Sequence, residues 1–211
     1  MLVVTFGVNA SGKDTLFKKL GQNVIYISAS QVLMKCLGII DLISSENPSR
    51  ENYKSLENID DNTRNIKMKI DFFEEIKNIE KQNQNKIIVI PMHLCIVKEN
   101  NDSYTFDIPE FPDWFNQVNK FIYIRTPLLH LENRILKDIK EKKRQRLDGE
   151  RESKIKQLIL SEQKFLEIKN KYPTKCFSLA NSDGKLENTL IKLENLLNLE
   201  NISNVQHFKI H

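Results

Sequence analysis

Cysteine is scarce in this 211-residue chain: Cys36, Cys95 and Cys176 are the only three, and they lie far apart. An odd, widely spaced set builds no disulfide framework and has no metal-ligand spacing, so reduced thiols of a cytosolic protein are expected. Six glycines and six prolines leave no low-complexity linker, and no internal repeat is visible. No apolar run approaches the roughly 20 residues of a membrane span. The apolar start is short and runs straight into a glycine-rich loop, unlike a signal peptide, so no membrane partner is expected. Charge of one sign is not in excess either. A net charge of +4 and a pI near 8.8 suit an anionic small substrate and are too weak alone to argue for nucleic acid. What is present, 40% apolar and 28% charged residues, is ordinary for a globular protein, and the length suffices for one well-cored α/β domain.

The amino-terminal stretch MLVVTFGVNASGKDT carries most of the functional signal. Leu2–Phe6 reads as a buried strand and Thr15–Leu20 opens a helical pattern. Between them, Gly7-Val8-Asn9-Ala10-Ser11-Gly12-Lys13 matches the phosphate loop G-x-x-x-x-G-K in its required strand–loop–helix context. Gly7 and Gly12 permit backbone angles and close approaches that a β-carbon blocks. Successive N–H groups then form an anion nest, and the following helix points its positive end at the same place. Lys13 reaches the terminal phosphates as a point charge. The residue after the lysine is ordinarily Ser or Thr, whose hydroxyl ligates Mg²⁺. Here it is Asp14, followed by Thr15. Three readings stay open: Asp14 binds the cation directly or through water, Thr15 substitutes from a shifted position, or metal binding is weakened.

Along the chain, short apolar strands are expected at Val24–Ile27, Lys86–Ile90 (stopped by Pro91), Lys120–Ile124 and Lys175–Leu179. Helices are expected at Ser28–Leu37, Asp60–Gln82, Pro127–Lys140, Arg151–Tyr172 and Lys185–Leu199. Asp41–Asn58 reads as a loop with a short helix. Ile96–Pro112 reads as an excursion with a hairpin around Glu99–Ser103, and Pro109–Val118 as a short helix whose Trp114 and Phe115 pack on the sheet. The inward stripes are Ile66, Ile70, Phe73 and Ile76 in one helix. They are Leu128, Leu131, Ile135 and Ile139 in the next, then Ile155, Leu158, Ile159, Phe165 and Leu166. Strands alternating with helices imply an α/β fold with about five parallel strands, covered on both faces. Ligand then binds at the carboxyl ends of the strands, where Gly7–Thr15, Ser28–Ser30, Pro91–His93 and Arg125–Thr126 fall. Asn181–Gly184 is a turn. The polar tail Glu200–His211 is loose or makes a subunit contact.

Lys140–Asp148 is a charged break containing Arg144 and Arg146, with Arg134 on the helix before it. A charge run of this kind is either a solvated face or a phosphate clamp that closes over nucleotide. Planar arginines suit the charge spread over a transferring phosphoryl group. A nucleic-acid patch is disfavoured because no aromatics are interleaved.

Taken together, these pieces resemble the nucleoside monophosphate kinases, and within them the archaeal-type adenylate kinases. The resemblance covers roughly residues 1–195. It rests on GVNASGKDT, on IIVIPMH, on EFPDWFNQVNKFIYI and on ENRILKDIKEKKRQR. It implies a three-layer P-loop NTPase fold with a five-stranded parallel sheet flanked by helices, a single kinase domain over 1–199. It also implies an acceptor-binding segment near 28–82 and a lid near 140–148. The implied reaction moves the γ-phosphoryl of ATP to a nucleoside monophosphate with Mg²⁺. On that basis Gly7, Gly12 and Lys13 hold the donor phosphates, and Arg134, Arg144 and Arg146 match arginines that engage phosphates. His93 matches a family histidine, either a substrate contact or a strand-end residue held by backbone. Ser30 and the cations Arg50, Lys54 and Arg64 fall in the segment that meets the acceptor; any of the cations could be a clamp, but each reads more readily as surface charge. A loop at Asn181–Gly184 touches adenine in the family. Two departures stand out. The family acid in Asp-x-His is replaced within Pro91-Met92-His93, and the family's Tyr-Gly-Asp-like turn is replaced by Ser28-Ala29-Ser30. The alternatives are a kinase of another small metabolite, an ATP-binding regulatory protein with little catalysis, and a P-loop ATPase acting on nucleic acid.

Overall fold

The computed structural model describes residues 1–43, 48–97, 103–105, 113–141 and 151–198. Its strands are β1 (Leu2–Phe6), β2 (Val24–Tyr26), β3 (Ile87–Met92), β4 (Cys95–Val97), β5 (Ser103–Thr105), β6 (Lys120–Arg125) and β7 (Cys176–Ala180). Its helices are α1 (Lys13–Lys18), α2 (Ala29–Cys36), α3 (Arg50–Glu57), α4 (Asp61–Gln82), α5 (Leu128–Lys140), α6 (Arg151–Lys171) and α7 (Leu186–Leu197). Five strands form one parallel sheet in the order β2-β3-β1-β6-β7, and β4 pairs antiparallel with β5. The sheet and the hairpin are those expected from the sequence.

Side chains alternate across β1 with the period of two that a strand imposes. Leu2, Val4 and Phe6 join the core under α2, α4 and α6, whereas Val3 joins the core under α1 and α7. The first core is rich in aromatics. Phe121 stacks on Phe6 with centroids 6.1 Å apart and meets Phe115 edge-on at 5.5 Å. Trp114 (4% exposed) stacks on Phe73 of α4 at 5.6 Å, so the 3₁₀ turn Asp113–Gln117 packs on the sheet side as expected. Helix starts follow local chemistry: Asp60 accepts from the Thr63 amide at 2.9 Å and Ser49 from Asn52 at 3.2 Å.

Three expectations need correction. β3 does not stop before Pro91 but runs to Met92. The amide of Ile88 bonds toward β1 (Met1 O) and that of Ile87 toward β2 (Asn23 O), so position 91 faces the β2 side. β2 pairs only as far as Tyr26 with Val89, so no ladder bond needs the N–H that proline lacks. In α4, Ile66 (47%) and Ile70 (63%) are exposed, and the inward residues are Phe72, Phe73 and Ile76. In α6, Ile155 (39%), Ile159 (53%) and Leu166 (51%) are exposed, while Lys154, Gln157, Ser161, Phe165 and Ile168 are buried. The cause is what α6 packs against. Its first half meets β4, whose Cys95 carbonyl accepts from Gln157 Nε2 at 3.0 Å, a partner that an apolar residue cannot provide.

The chain leaves β1 toward β2 on one side and leaves β6 toward β7 on the other, so a crevice opens between the carboxyl ends of β1 and β6. The loop Gly7–Gly12 sits there. Truncating the aromatic centre, Phe121→Ala, is expected to cost about 3–5 kcal/mol. The check is urea unfolding: the midpoint falls with the m-value unchanged, and a loss under about 1 kcal/mol contradicts this packing account.

Candidate active site

The phosphate loop is compact and largely buried. Val8 is 2%, Ser11 1% and Lys13 6% exposed, whereas Asn9, Asp14 and Thr15 face solvent. Gly12 takes a left-handed φ of 82°, and a β-carbon there would lie 2.5 Å from Asn181 Nδ2. A β-carbon on Gly7 would lie 2.7 Å from Ser11 Oγ and 3.1 Å from the Ile124 carbonyl. Both glycines are therefore required by close approach. Ala10 also has a left-handed φ of 63°, which is uncommon for a residue with a side chain. A cavity of about 420 Å³ opens on the loop from Asn9 to Thr15, completed by Arg134, Lys137 and Glu141 of the α5 end. That volume is within the range of small-molecule sites.

Lys13 donates from Nζ to the Gly7 carbonyl at 2.6 Å and to the Val8 carbonyl at 3.3 Å. Burial lowers its pKa to about 8, and the Asp14 carboxylate works in the opposite direction. Ser11 Oγ is buried without a hydrogen-bond partner. A poorly compensated buried ammonium, an orphaned hydroxyl and glycines that keep the loop open fit an anionic ligand such as a phosphate chain.

Asp14 accepts a hydrogen bond from the Tyr26 hydroxyl at the end of β2. Burial, then the Asp14 charge and that hydrogen bond, push the Tyr26 pKa up, so the phenol stays a donor. Among the described residues, no group of three or more His, Cys, Asp or Glu could hold a metal ion. One tyrosine-held carboxylate with the neighbouring Thr15 hydroxyl fits Mg²⁺, which commonly takes one or two carboxylates plus phosphate and water oxygens.

His93 follows β3 and stands beside the loop. It is solvent-accessible. Desolvation, then the Lys13 charge, lowers its pKa to about 3, partly offset by a hydrogen bond to the Gly7 carbonyl. Lys154 of α6 adds to that lowering and is 7% exposed. It is a site-side cation that sequence reasoning misses. Its signal is a polar stripe at 154, 157 and 161 in a helix whose isoleucines suggest another face.

Arg134, expected to engage phosphate, reaches the loop with its guanidinium spent on protein. Nε pairs with Asp183 Oδ1 at 2.8 Å, and Nη2 donates to the Asn181 carbonyl at 3.0 Å. Nη1 donates to the Ala10 and Ser11 carbonyls at 3.2 and 3.1 Å. Ser30 Oγ lies 2.7 Å from Ser28 Oγ at the start of α2. Arg50 is an exposed first residue of α3. Arg64 donates to the Leu56 and Ile59 carbonyls at 3.2 and 2.8 Å, closing the α3–α4 corner. Arg144 and Arg146 lie outside the described residues.

A five-stranded parallel sheet in this order, with helices on both faces and a glycine-rich loop leading from β1 into α1, is a three-layer α/β fold of the P-loop NTPase type. No protein-family model matches the chain, and no curated protein matches it. Among solved structures it is similar to thymidylate kinase from Candida albicans, with 14% identity over 95% of this chain and 92% of that one, TM-score 0.53. A thymidylate kinase from Ehrlichia chaffeensis is 13% identical over 93% and 98%, TM-score 0.47. A shikimate kinase from Bacteroides thetaiotaomicron is 14% identical over 94% and 98%, TM-score 0.44. The Candida structure carries the likeness, which at this identity is one of fold.

Two outcomes check the site. Gly12→Ala places a β-carbon against the Asn181 amide at a left-handed φ and is expected to weaken ATP binding at least tenfold, with an unchanged far-ultraviolet circular dichroism spectrum. The Lys13 pKa near 8 sets a pH dependence. A bound phosphate chain raises that pKa, so binding takes up a proton above pH 8. Affinity is full below pH 8 and falls up to about tenfold per pH unit above it. Calorimetry in buffers of different ionisation enthalpy reads the proton directly, and no uptake at pH 9 contradicts the assignment.

Proposed function

We propose that this protein is an ATP-dependent phosphotransferase of the adenylate kinase-like type, moving the γ-phosphoryl group of ATP to the phosphate of a nucleoside monophosphate. The observation that carries it is the buried Lys13 ammonium, resting on carbonyls of its own loop at the β1–β6 crevice and short of a counter-charge. Gly7 to Lys13 hold the donor phosphates in this reading. Asp14 and Thr15 hold Mg²⁺, which supplies charge neutralisation on the phosphate oxygens when bound. An acceptor phosphate oxygen attacks the γ-phosphorus in line, the bond to the ADP leaving oxygen breaks, and ADP departs.

The choice of a phosphate acceptor rests on the residues at the end of β3. A hydroxyl acceptor needs a base to take its proton, whereas a phosphate oxygen is already anionic at neutral pH. Here the strand ends Pro91-Met92-His93, with no carboxylate. His93, with a pKa near 3, is neutral and a weak base. Positioning and electrostatics then carry the barrier reduction. His93 and Lys154 flank the acceptor phosphate in this reading, with Ser30, Arg50 and Arg64 on the acceptor side. Arg144 and Arg146, outside the described residues, engage phosphate in this reading. The protein works on small molecules rather than nucleic acid, in the cytoplasm; among the described residues no helix is long and apolar enough to cross a membrane.

A second reading, an ATP-binding regulator with little turnover, is favoured by the missing acid after β3. A coupled assay for ADP with Mg·ATP across nucleoside monophosphates separates the two. Turnover with one monophosphate, abolished by Lys13→Ala in a folded protein, is the expected result. Tight ATP binding without acceptor-stimulated turnover supports the regulator, and full activity of Lys13→Ala overturns both.

A further inference from the structure

The role of Arg134 departs from that of a phosphate-engaging arginine. Its three nitrogens reach four protein oxygens: Asp183 Oδ1 and the carbonyls of Ala10, Ser11 and Asn181. The Ser11 carbonyl also accepts from Asn181 Nδ2 at 2.7 Å and from Thr126 Oγ1 at 3.1 Å. Asp183 is itself held, its amide donating to His130 Nδ1 at 3.0 Å one turn before Arg134 on α5. The residues so gripped include Ala10, the one non-glycine with a left-handed φ within the loop. For a residue with a β-carbon that conformation is unfavourable and persists where the surroundings over-determine it.

We propose that Arg134 is a positioning residue. It holds the Ala10 and Ser11 carbonyls outward, and so keeps the loop in its open, anion-ready shape before any ligand arrives. The peptide plane gives the reason. C=O and N–H of a trans peptide point in opposite directions, so fixing the Ser11 carbonyl on the brace turns the Gly12 N–H away from it. One guanidinium thereby sets the direction of an amide that it does not touch. A forked, planar donor is required, because two carbonyls of the loop, one of the β7 end and a carboxylate must be met at once. The inference rests on the phosphate-binding reading of the loop, but the shape it describes belongs to the ligand-free protein.

The first measurement is therefore made without ligand. In Arg134→Met, hydrogen exchange of the Ser11 amide, which donates to the Val8 carbonyl at 3.2 Å, is expected to quicken at least tenfold, with exchange in β1 and β6 unchanged. Mg·ATP then binds at least tenfold more weakly. Arg134→Lys behaves like Arg134→Met, because one ammonium cannot span the carbonyls; an arginine acting as a point charge on phosphate would be largely replaced by lysine. Adding Ala10→Gly to Arg134→Met restores affinity at least threefold, since glycine holds the left-handed angle unaided. Asp183→Asn, a milder variant should Arg134→Met fail to fold, gives intermediate loop exchange. Unchanged loop exchange in Arg134→Met, wild-type affinity in Arg134→Lys, or no recovery with Ala10→Gly overturns the proposal. If the wild-type protein binds no ATP, the phosphotransferase reading falls, while the exchange comparison still decides the brace.

Discussion

Three donors from three separate elements converge on a single carbonyl oxygen, that of Ser11: Thr126 beyond β6, Arg134 on α5 and Asn181 beyond β7. The phosphate loop has its shape because of this meeting. A buried carbonyl must find donors, and the Ser11 carbonyl finds three outside its own loop. Those donors are within reach because β1, β6 and β7 are neighbours in register, Phe6 opposite Tyr123 and Arg125 opposite Ala180. Each parallel pairing delivers its following residue to the same end of the sheet. The aromatic core beneath, with Phe6 stacked on Phe121 and edge-on to Phe165, keeps that register. Site and core are thus linked through strand ends.

The electrostatics of the site are those of a cradle short of negative charge. Lys13, Lys137 and Arg134 line the cavity, with Asp14 and Glu141 the carboxylates opposed to them among its described residues. Arg134 is neutralised by Asp183, and Lys137 faces Glu141 at 3.9 Å. Lys13 has burial against it and loop carbonyls for it, and the balance lowers its pKa. His93 stays uncharged beside it, held so by desolvation and then by the Lys13 charge. Among the described residues the arrangement spares positive charge for a polyanion, and the proposed acceptor chemistry builds on that balance.

Legibility varies with the range of the interaction. The loop and its strand–helix context are local: G-x-x-x-x-G-K between an apolar strand and a helix allows few other readings. The strands are legible because runs such as KIIVI and KFIYI are short, β-branched and buried on both faces. His93 is found by its place after a strand. Helix faces are less legible. Reading isoleucines as inward fails at Ile66, Ile70, Ile155 and Ile159, because a helix with apolar residues on two sides does not announce which one meets the sheet. α6 turns a polar stripe inward, since its neighbours are a strand backbone and a charged site. Pro91 reads as a stop because a proline ends a ladder; how far β2 pairs along β3 decides that it does not.

The sequence by itself determined the element order, the phosphate loop and the identity of the buried ammonium, since each depends on residues within about a dozen positions of one another. It also determined that no acid follows β3. Tertiary structure alone decided what Arg134 does, that Asn181 and Thr126 serve the loop 170 and 115 positions away, and that the Lys154 charge acts on His93. Those contacts need strands brought together from opposite ends of the chain, and a donor's partner is set by the packed neighbours rather than by its own chemistry.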